Sequence, residues 1–563
     1  MHLVARRLPD GGVSVTRVGD DGRPEAETAE IVPADAWPDV VRAVERDEPG
    51  ARWVWDDTAA WYPPLLRAGV RVARCVDLRL CHAILRSSQL TADSSLASAP
   101  PGPWDAPVAA TREADTGALF DLASEVDAGG ERDPLAEFAA QRAAVAGAEP
   151  DARSRVSLLL AAESVGALIA SEMTFAGLPW DARRHDELLT EMLGPRPTPG
   201  VRPAILQRVL DEVTAALDVG PFSPESPGEL LRSLQSAGIP ATSTRSWELK
   251  QFDHPAIAPL LRYKKLARLH TANGWNWLDQ WIHDGRFRPT YVPGGVVTGR
   301  WASDGGGALQ LPHQVRSAVV ADPGWRFVVA DAAQLEPRIL SAVSGDAAMA
   351  AAARGVDLYD GMVRAGAVDT RTHAKVAMLG AMYGATTGES GRLLPRLARA
   401  YPQAIAFVES AARAGERGER VSTRLGRSSP LPGQAWRELQ AHASGDASTE
   451  AIGRRARTEA RNWGRFTRNF VVQGTAAEWA LCWMASVRTR LASLAGGATL
   501  TDSAHLVFFL HDEIVVHCPV ADADRVVDLV RESAAEAGRL IFGGAPVDFP
   551  VTTAVVESYD QAK

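Results

Sequence analysis

Apolar residues in the first ninety positions come in short runs separated by Gly and Asp turns. Leu3-Val-Ala5 and Val13-Ser-Val15 flank Asp10-Gly-Gly12, which predicts a hairpin. Trp53-Val-Trp55, a short helix opened by Pro63-Pro64, the apolar Val70-Arg-Val72 and a helical run at Leu78–Leu85 follow. Together they predict a small α/β domain. Residues 87–107, rich in Ser and Pro, predict a linker or long loop. From 108 to 290 the pattern is mostly helical. Leu158–Phe175 is a long, largely apolar stretch, and Ser223-Pro-Glu-Ser-Pro-Gly-Glu carries capping residues ahead of Leu230-Leu231 and Leu234. Leu260–His270 is a basic amphipathic helix, either a surface helix or a rail along a phosphate backbone. Residues 285–335 turn to strands and loops, at the Gly-rich 292–300, Ala318-Val-Val320 and Trp325–Ala330. Helices dominate 337–490. A strand–turn–strand at 505–518, a helix at Ala521–Arg539 and a strand near Val547–Val556 complete the pattern.

One helical stretch carries an ordered stripe. Arg371, Lys375, Leu379 and Tyr383 stand four apart and so share one face of a helix. Two cations, an apolar side chain and an aromatic ring in that order suit a nucleoside triphosphate: cations for phosphates, apolar surface and ring for sugar and base. On spacing alone, a solvated surface face is the commoner outcome for such a stripe.

Length and charge narrow the picture. A chain of 563 residues is expected to form roughly two to four domains. A net charge of −9 supplies no global basic field, so any nucleic-acid binding must come from local Lys/Arg clusters. Cys75, Cys81, Cys482 and Cys518 are scattered without CxxC spacing, which argues against structural zinc and a disulfide scaffold. No run is expected to reach the length of a membrane span, and a reducing cytosol is the expected compartment.

Two further stretches carry carboxylates at strand ends. The apolar run Trp325–Ala330 ends at Asp331, with Pro337 fitting the first turn of a following helix. Two apolar runs flank His511-Asp512-Glu513, which predicts a β-hairpin with its charges at the bend. Each is also an ordinary turn aspartate. If the strands are neighbours, Asp331 and Asp512 converge, and such a pair can hold two divalent metals. Combined with the cationic helix face, this describes phosphoryl transfer by positioning and electrostatics. A P-loop GxxxxGK[ST] is absent.

These stretches together resemble the family A DNA polymerases, the bacterial DNA polymerase I group. The Asp331 stretch resembles motif A (Asp-Tyr-Ser-Gln-x-Glu-x-Arg). Arg371–Gly384 resembles motif B (Arg-x3-Lys-x3-Phe-x3-Tyr-Gly), and His511-Asp-Glu513 resembles motif C. Thr298-Gly-Arg300, Leu309–Pro312, Arg465 with Asn469, Gln473–Ala477 and Tyr559–Ala562 match in the same order. The resemblance covers 150–563 well and 50–90 weakly.

The resemblance implies an α+β right-hand polymerase, with an antiparallel palm sheet, helical fingers and a helical thumb. A small α/β ribonuclease H-like domain of exonuclease type precedes it. The expected boundaries are 1–125 for that domain, 126–285 for the thumb, 286–342 with 462–563 for the palm and 343–461 for the fingers. Asp331 and Asp512 would carry two Mg²⁺ ions (Mn²⁺ as a substitute), assisted by the carbonyl of Ala332, with Glu513 in support. Arg371 and Lys375 would hold the β- and γ-phosphates, and Lys375 could protonate the departing pyrophosphate. Tyr383 would stack near the templating position, Glu336 would act as the steric gate against ribose, and Gln334 and His511 would line the pocket and primer end. Arg300, Arg465, Asn469 and Gln473 would contact primer-template, and Lys264 and Lys265 would belong to the thumb's DNA-binding helix. The expected partners are primer-template DNA and dNTPs, with no membrane, for a monomeric enzyme of replication or repair.

Departures from the pattern are specific. Leu379 stands where the family has Phe or Tyr against the sugar, and Ala332-Ala333 replaces Tyr-Ser. The stretches 384–401 and 300–331 are short for the family. In the N-terminal region the Asp-x-Glu of a proofreading exonuclease is absent from the strands. Among Glu113, Asp115 and Asp121 none has the expected tyrosine partner. A vestigial, inactive exonuclease-like domain is therefore expected, with no separate 5′ nuclease domain upstream. Three alternatives remain: a bifunctional proofreading polymerase, a non-catalytic primer-template binding protein, and a single-subunit RNA polymerase, the last opposed by Glu336.

Overall fold

The structure, a computed structural model, describes residues 1–562 except 27, 107–131, 356, 386–387 and 446–447. The chain forms two compact units. One comprises Met1–Ala176, Thr290–Gly305 and Gly324–Val555; the other comprises Gly177–Pro289, Gly306–Pro323 and Val556–Lys563.

The first unit contains two sheets. The N-terminal sheet has strands β1 (His2–Arg7), β2 (Val13–Val18), β3 (Glu30–Val32), β4 (Arg52–Trp55) and β5 (Cys75–Asp77), in the spatial order β3-β2-β1-β4-β5. The expected hairpin forms, with β1 and β2 antiparallel from His2↔Val18 to Arg7↔Val13, while β4 runs parallel to both β1 and β5. This order and mix of directions is the ribonuclease H-like topology. Trp37, Trp53, Trp55 and Trp61 fill its core.

The helix after β4 begins earlier than the proline pair suggests. It spans Thr58–Arg67 with Asp57 as N-cap, so Pro63 and Pro64 lie inside it. Proline cannot donate to the carbonyl four residues back. The Ala60 carbonyl that Pro64 leaves unserved instead accepts a hydrogen bond from Arg7 Nη2 at 2.7 Å. The stretch expected to be a linker also differs. It folds into short turns at Gln89–Thr91, Ser95–Ser98 and Pro103–Asp105. Ser88 Oγ donates to the Gly426 carbonyl at 2.7 Å, and the Gln89 N–H donates to Ser428 Oγ at 2.9 Å. Glu113, Asp115 and Asp121 lie outside the described residues.

The apolar stretch 158–175 lies within one 27-residue helix, Pro150–Ala176. Contrary to expectation, it is long and apolar enough to cross a membrane, but 67% of its most apolar window is buried inside the fold. It also buries Glu172, which argues for a core helix. Glu172 Oε1 accepts from Arg488 Nη2 at 2.7 Å, Tyr62 OH at 2.7 Å and Arg71 Nε at 3.1 Å. Burial alone would raise its pKa, but Arg488 and then Arg71 outweigh burial and hold it down at about 2. This network fastens the N-terminal domain to the 46-residue helix Glu450–Ala495.

The second sheet has four strands in the order His505–Leu510, Glu513–Pro519, Trp325–Ala332, Val551–Val556. The hairpin strands His505–Leu510 and Glu513–Pro519 are almost wholly buried, in keeping with their near-continuous apolar sequences. Trp479 and Trp483 of the long helix and helix Ala523–Phe542 pack in its vicinity. Trp483 Nε1 donates to the Val530 carbonyl at 3.0 Å.

The other unit is mainly helical. Its helix Ile257–Asn273 is the basic amphipathic helix read from the sequence, and Ser226 caps Pro227–Ser236 as expected. Trp180, Trp277 and Phe287 pack together beside the small sheet Leu178–Pro179, Arg286–Phe287 and Ile282–His283. Ala318-Val-Val320 forms no strand: His313–Ala318 is a 3₁₀ turn, followed by an isolated bridge from Val320 to Ser558.

Candidate active site

Asp331 and Asp512 come together at the rim of the second sheet. In the antiparallel ladder Asp331 is opposite Glu513, and the Ala332 N–H donates to the Asp512 carbonyl at 2.9 Å. Leu510 pairs with Glu513, so His511-Asp512 is a two-residue bend. Both aspartates are partly exposed, whereas Glu513 is 2% exposed. His511 (φ 59°) and Gln334 (φ 51°) are left-handed without being glycine. Such residues cost on the order of 1–2 kcal/mol each and persist where surrounding structure enforces them. At Gln334 the side chain supplies the enforcement: Nε2 donates to Asp357 Oδ2 at 2.7 Å, and Oε1 accepts from the Leu358 N–H at 3.0 Å.

The cationic stripe is a true outward face. Helix Arg371–Tyr383 is capped by Thr370 Oγ1, which accepts from the His373 N–H at 3.1 Å. Ala374, Ala377, Met378 and Ala381 are buried on its inner side, while Arg371 and Lys375 are exposed, Leu379 is half-buried and Tyr383 is 38% exposed. Gly384 ends the helix at φ 72°, and a Cβ there would lie 2.8 Å from Arg465 Cγ. Glycine is needed at this position for both its conformation and its lack of bulk.

Glu336, in helix Leu335–Ser344 just after the Asp331 strand, joins that helix to Arg371–Tyr383. It accepts from Arg300 Nη2 on one oxygen and from Tyr383 OH at 2.6 Å on the other. Gln473 Nε2 donates to Tyr383 OH at 3.4 Å. Burial, and then the Glu336 carboxylate, raise the Tyr383 hydroxyl to about 12, so the ring stays neutral. Arg465, Asn469 and Gln473 follow one another at four-residue spacing along the Glu450–Ala495 helix and share a face. Arg465 Nη2 donates to Asn462 Oδ1, and Asn469 Oδ1 is buried without a hydrogen-bond partner among the described residues.

In the separate helical unit, the two lysines of the basic helix differ. Lys265 is exposed with Arg262 and Arg268, whereas Lys264 Nζ donates to the Thr244 carbonyl at 2.8 Å and burial lowers its pKa.

One residue at the rim escaped the sequence reading. Asp357 Oδ2 accepts from both Gln334 and Arg371, and its Oδ1 accepts from the Asp360 N–H. Buried Arg338 donates to the carbonyls of Ala333, Ala353 and Asp548. The only sequence signal for Asp357 is its position as a helix N-cap.

The N-terminal sheet places its strand-end acids differently. Asp56 Oδ1 accepts from Trp61 Nε1 at 2.6 Å. Asp57 caps the following helix and accepts from Arg79 Nε at 3.1 Å. Asp77, fully buried, accepts from the N–H groups of Thr58 and Leu80, and burial raises it to about 6. Among the described residues no group of three or more His, Cys, Asp or Glu side chains is gathered to hold a metal.

The fold is that of a polymerase domain. The structure titled "POL domain of Pol1 from M. smegmatis complex with DNA primer-template and dNTP" matches all of this chain and 95% of its own, with a TM-score of 0.67 at 18% identity. The chain belongs to DNA polymerase family A, whose sequence model matches residues 207–560. DNA polymerase I of Chloroflexus aurantiacus is 28% identical over 330 residues, covering 54% of this chain and 32% of that protein. Thermostable DNA polymerase I of Thermus thermophilus is 27% identical over 365 residues, covering 58% and 41%. DNA polymerase I of Aquifex aeolicus is 27% identical over 361 residues, covering 61% and 59%. The matched region thus spans about a third to three-fifths of these relatives' length.

Proposed function

We propose that this chain is a template-directed DNA polymerase that adds dNTPs to a primer 3′-hydroxyl and releases pyrophosphate. The observation that carries this reading is the register Asp331↔Glu513, with Asp512 at the adjoining bend, beside the outward Arg371–Lys375–Leu379–Tyr383 face. In this reading 126–285 is the thumb, 286–342 with 462–563 the palm and 343–461 the fingers, in a monomeric cytoplasmic enzyme.

The donor set fits a hard divalent cation: two carboxylates and the Ala332 carbonyl, all oxygen. Magnesium is commonly held by one or two carboxylates, with substrate phosphates completing its shell, so a cluster of three acids is not required. Two such ions, when bound, would activate the attacking oxygen and stabilise the leaving one. The protein's residues do the rest. Arg371 and Lys375 neutralise the β- and γ-phosphates, and Lys375 donates a proton to the departing pyrophosphate. Glu336, held by Arg300 and Tyr383, fills the space of a ribose 2′-hydroxyl. Gln334 and His511 line the pocket and primer end, with Glu513 supporting from beneath. Arg300, Arg465, Asn469 and Gln473 track the primer-template junction, and Lys264 and Lys265 belong to the thumb's DNA-binding helix.

The N-terminal domain is proposed to be catalytically silent. Asp56 is bound by the Trp61 indole, Asp57 and Asp77 by helix caps and, for Asp57, an ion pair, and β1 carries no acid.

Primer extension with each dNTP and each rNTP separately tests the reading. Template-matched dNTP incorporation supports it. Binding of primer-template without incorporation would leave the non-catalytic alternative, and efficient rNTP use would favour an RNA polymerase.

A further inference from the structure

Asp357 lies between the two halves of the rim. Its Oδ2 accepts from Gln334 Nε2 at 2.7 Å and from Arg371 Nη2 at 2.8 Å. Its Oδ1 accepts from the Asp360 N–H at 3.1 Å, capping helix Leu358–Arg364. The Tyr359 ring lies under the Arg371 guanidinium at 5.5 Å, and Asp360 Oδ1 is 3.9 Å from Arg371 Nε. Arg371 is thus held from three sides by its own chain.

One carboxylate therefore does two separable things. Through Gln334 it anchors the left-handed turn between Asp331 and Glu336. Through Arg371 it occupies a guanidinium edge that a phosphate would otherwise take. Carboxylate and phosphate present similar paired oxygens to a guanidinium, so they compete for it. Burial would raise the Asp357 pKa, but the Arg371 hydrogen bond and the Asp360 N–H outweigh it, so the competitor stays charged.

We infer that Asp357 is a positioning residue that doubles as an internal phosphate mimic: an incoming triphosphate must displace it from Arg371, and this exchange sets nucleotide affinity. The inference rests on the triphosphate reading of the Arg371–Tyr383 face. It assigns Asp357 a graded role in selectivity, distinct from the chemistry at Asp331 and Asp512.

The test uses Asp357→Asn, Asp357→Ala and Arg371→Ala in the full chain. Asparagine with its oxygen toward Gln334 keeps that acceptor, gives up the Asp360 N–H cap and removes the charge that holds Arg371. Asp357→Asn should lower the KM for dNTP by about three- to five-fold, the scale of a partly exposed ion pair, with kcat changed less than about two-fold. It should also tighten the binding of inorganic pyrophosphate, read by calorimetry, by a similar factor. Both gains should vanish on the Arg371→Ala background. Asp357→Ala, which also frees Gln334, should lower kcat. An unchanged KM and pyrophosphate affinity in Asp357→Asn would overturn the inference, as would gains that persist without Arg371. If the wild-type chain incorporates no dNTP, the polymerase reading falls, and the pyrophosphate titration still decides whether Asp357 competes for Arg371.

Discussion

The molecule contains two sheets that end in aspartates, and the two use them in opposite ways. In the N-terminal sheet, Asp56, Asp57 and Asp77 follow or end parallel strands, and each is engaged by a helix start, an indole or an arginine. In the second sheet, Asp331 stands near the end of one strand and Asp512 at the bend beside it, partly exposed, next to two left-handed residues that re-aim the chain. The comparison shows that a carboxylate at a strand end is no evidence of chemistry until its hydrogen bonds have been traced.

The comparison breaks most decisively at the aspartates themselves. Asp331→Ala or Asp512→Ala should reduce primer extension on the order of 10³-fold or more while primer-template affinity largely survives. Asp56→Ala or Asp57→Ala should leave extension unchanged, and a 3′-tailed DNA incubated without dNTPs should be degraded no differently. Retained extension in the first pair would refute the site assignment; loss of 3′-degradation in the second would reinstate a proofreading site.

The join between the regions gives the next largest effect. Glu172→Gln leaves the buried Arg488 and the half-buried Arg71 without their counter-charge and should destabilise the chain by about 3–5 kcal/mol, read from urea unfolding. The pH dependence has a fixed sign. A carboxyl held at about 2 when folded, against about 4.3 when unfolded, contributes stability above about pH 4.3 that is lost as pH falls toward 2. Wild type should therefore lose more stability than Glu172→Gln over that acid range. Equal losses would mean that the network carries no net charge coupling.

A smaller effect sharpens the second sheet's side. Lys375→Ala should lower kcat/KM for dNTP by about 10²-fold with DNA affinity nearly intact. An unchanged dNTP requirement would remove the cationic face from the site.

Much of this was legible along the chain because it depends on local rules. The Asp10-Gly-Gly12 turn, the Ser226 cap, the two-residue bend at His511-Asp512 and the i,i+4 stripe each need only a few neighbouring residues, and all are present. Where the reading failed, a distant partner had intervened. Pro63-Pro64 reads as a helix start, yet Arg7 serves a carbonyl that the prolines strand, and the helix begins at Thr58. The Ser/Pro-rich stretch reads as a linker until Gly426 and Ser428 supply partners 338 and 339 residues away.

By itself the sequence determined the elements, the spacing of the cationic face and the collinear motifs that place the chain in its family, because periodicity and turn chemistry act over a few residues. Only the tertiary structure decided which aspartates are consumed by caps, that Asp357 bridges Gln334 and Arg371, and that Glu172 is held by three residues from distant parts of the chain. Those outcomes depend on which buried polar groups meet across long sequence separations, and a side chain's hydrogen-bond partners are not encoded in its own neighbourhood.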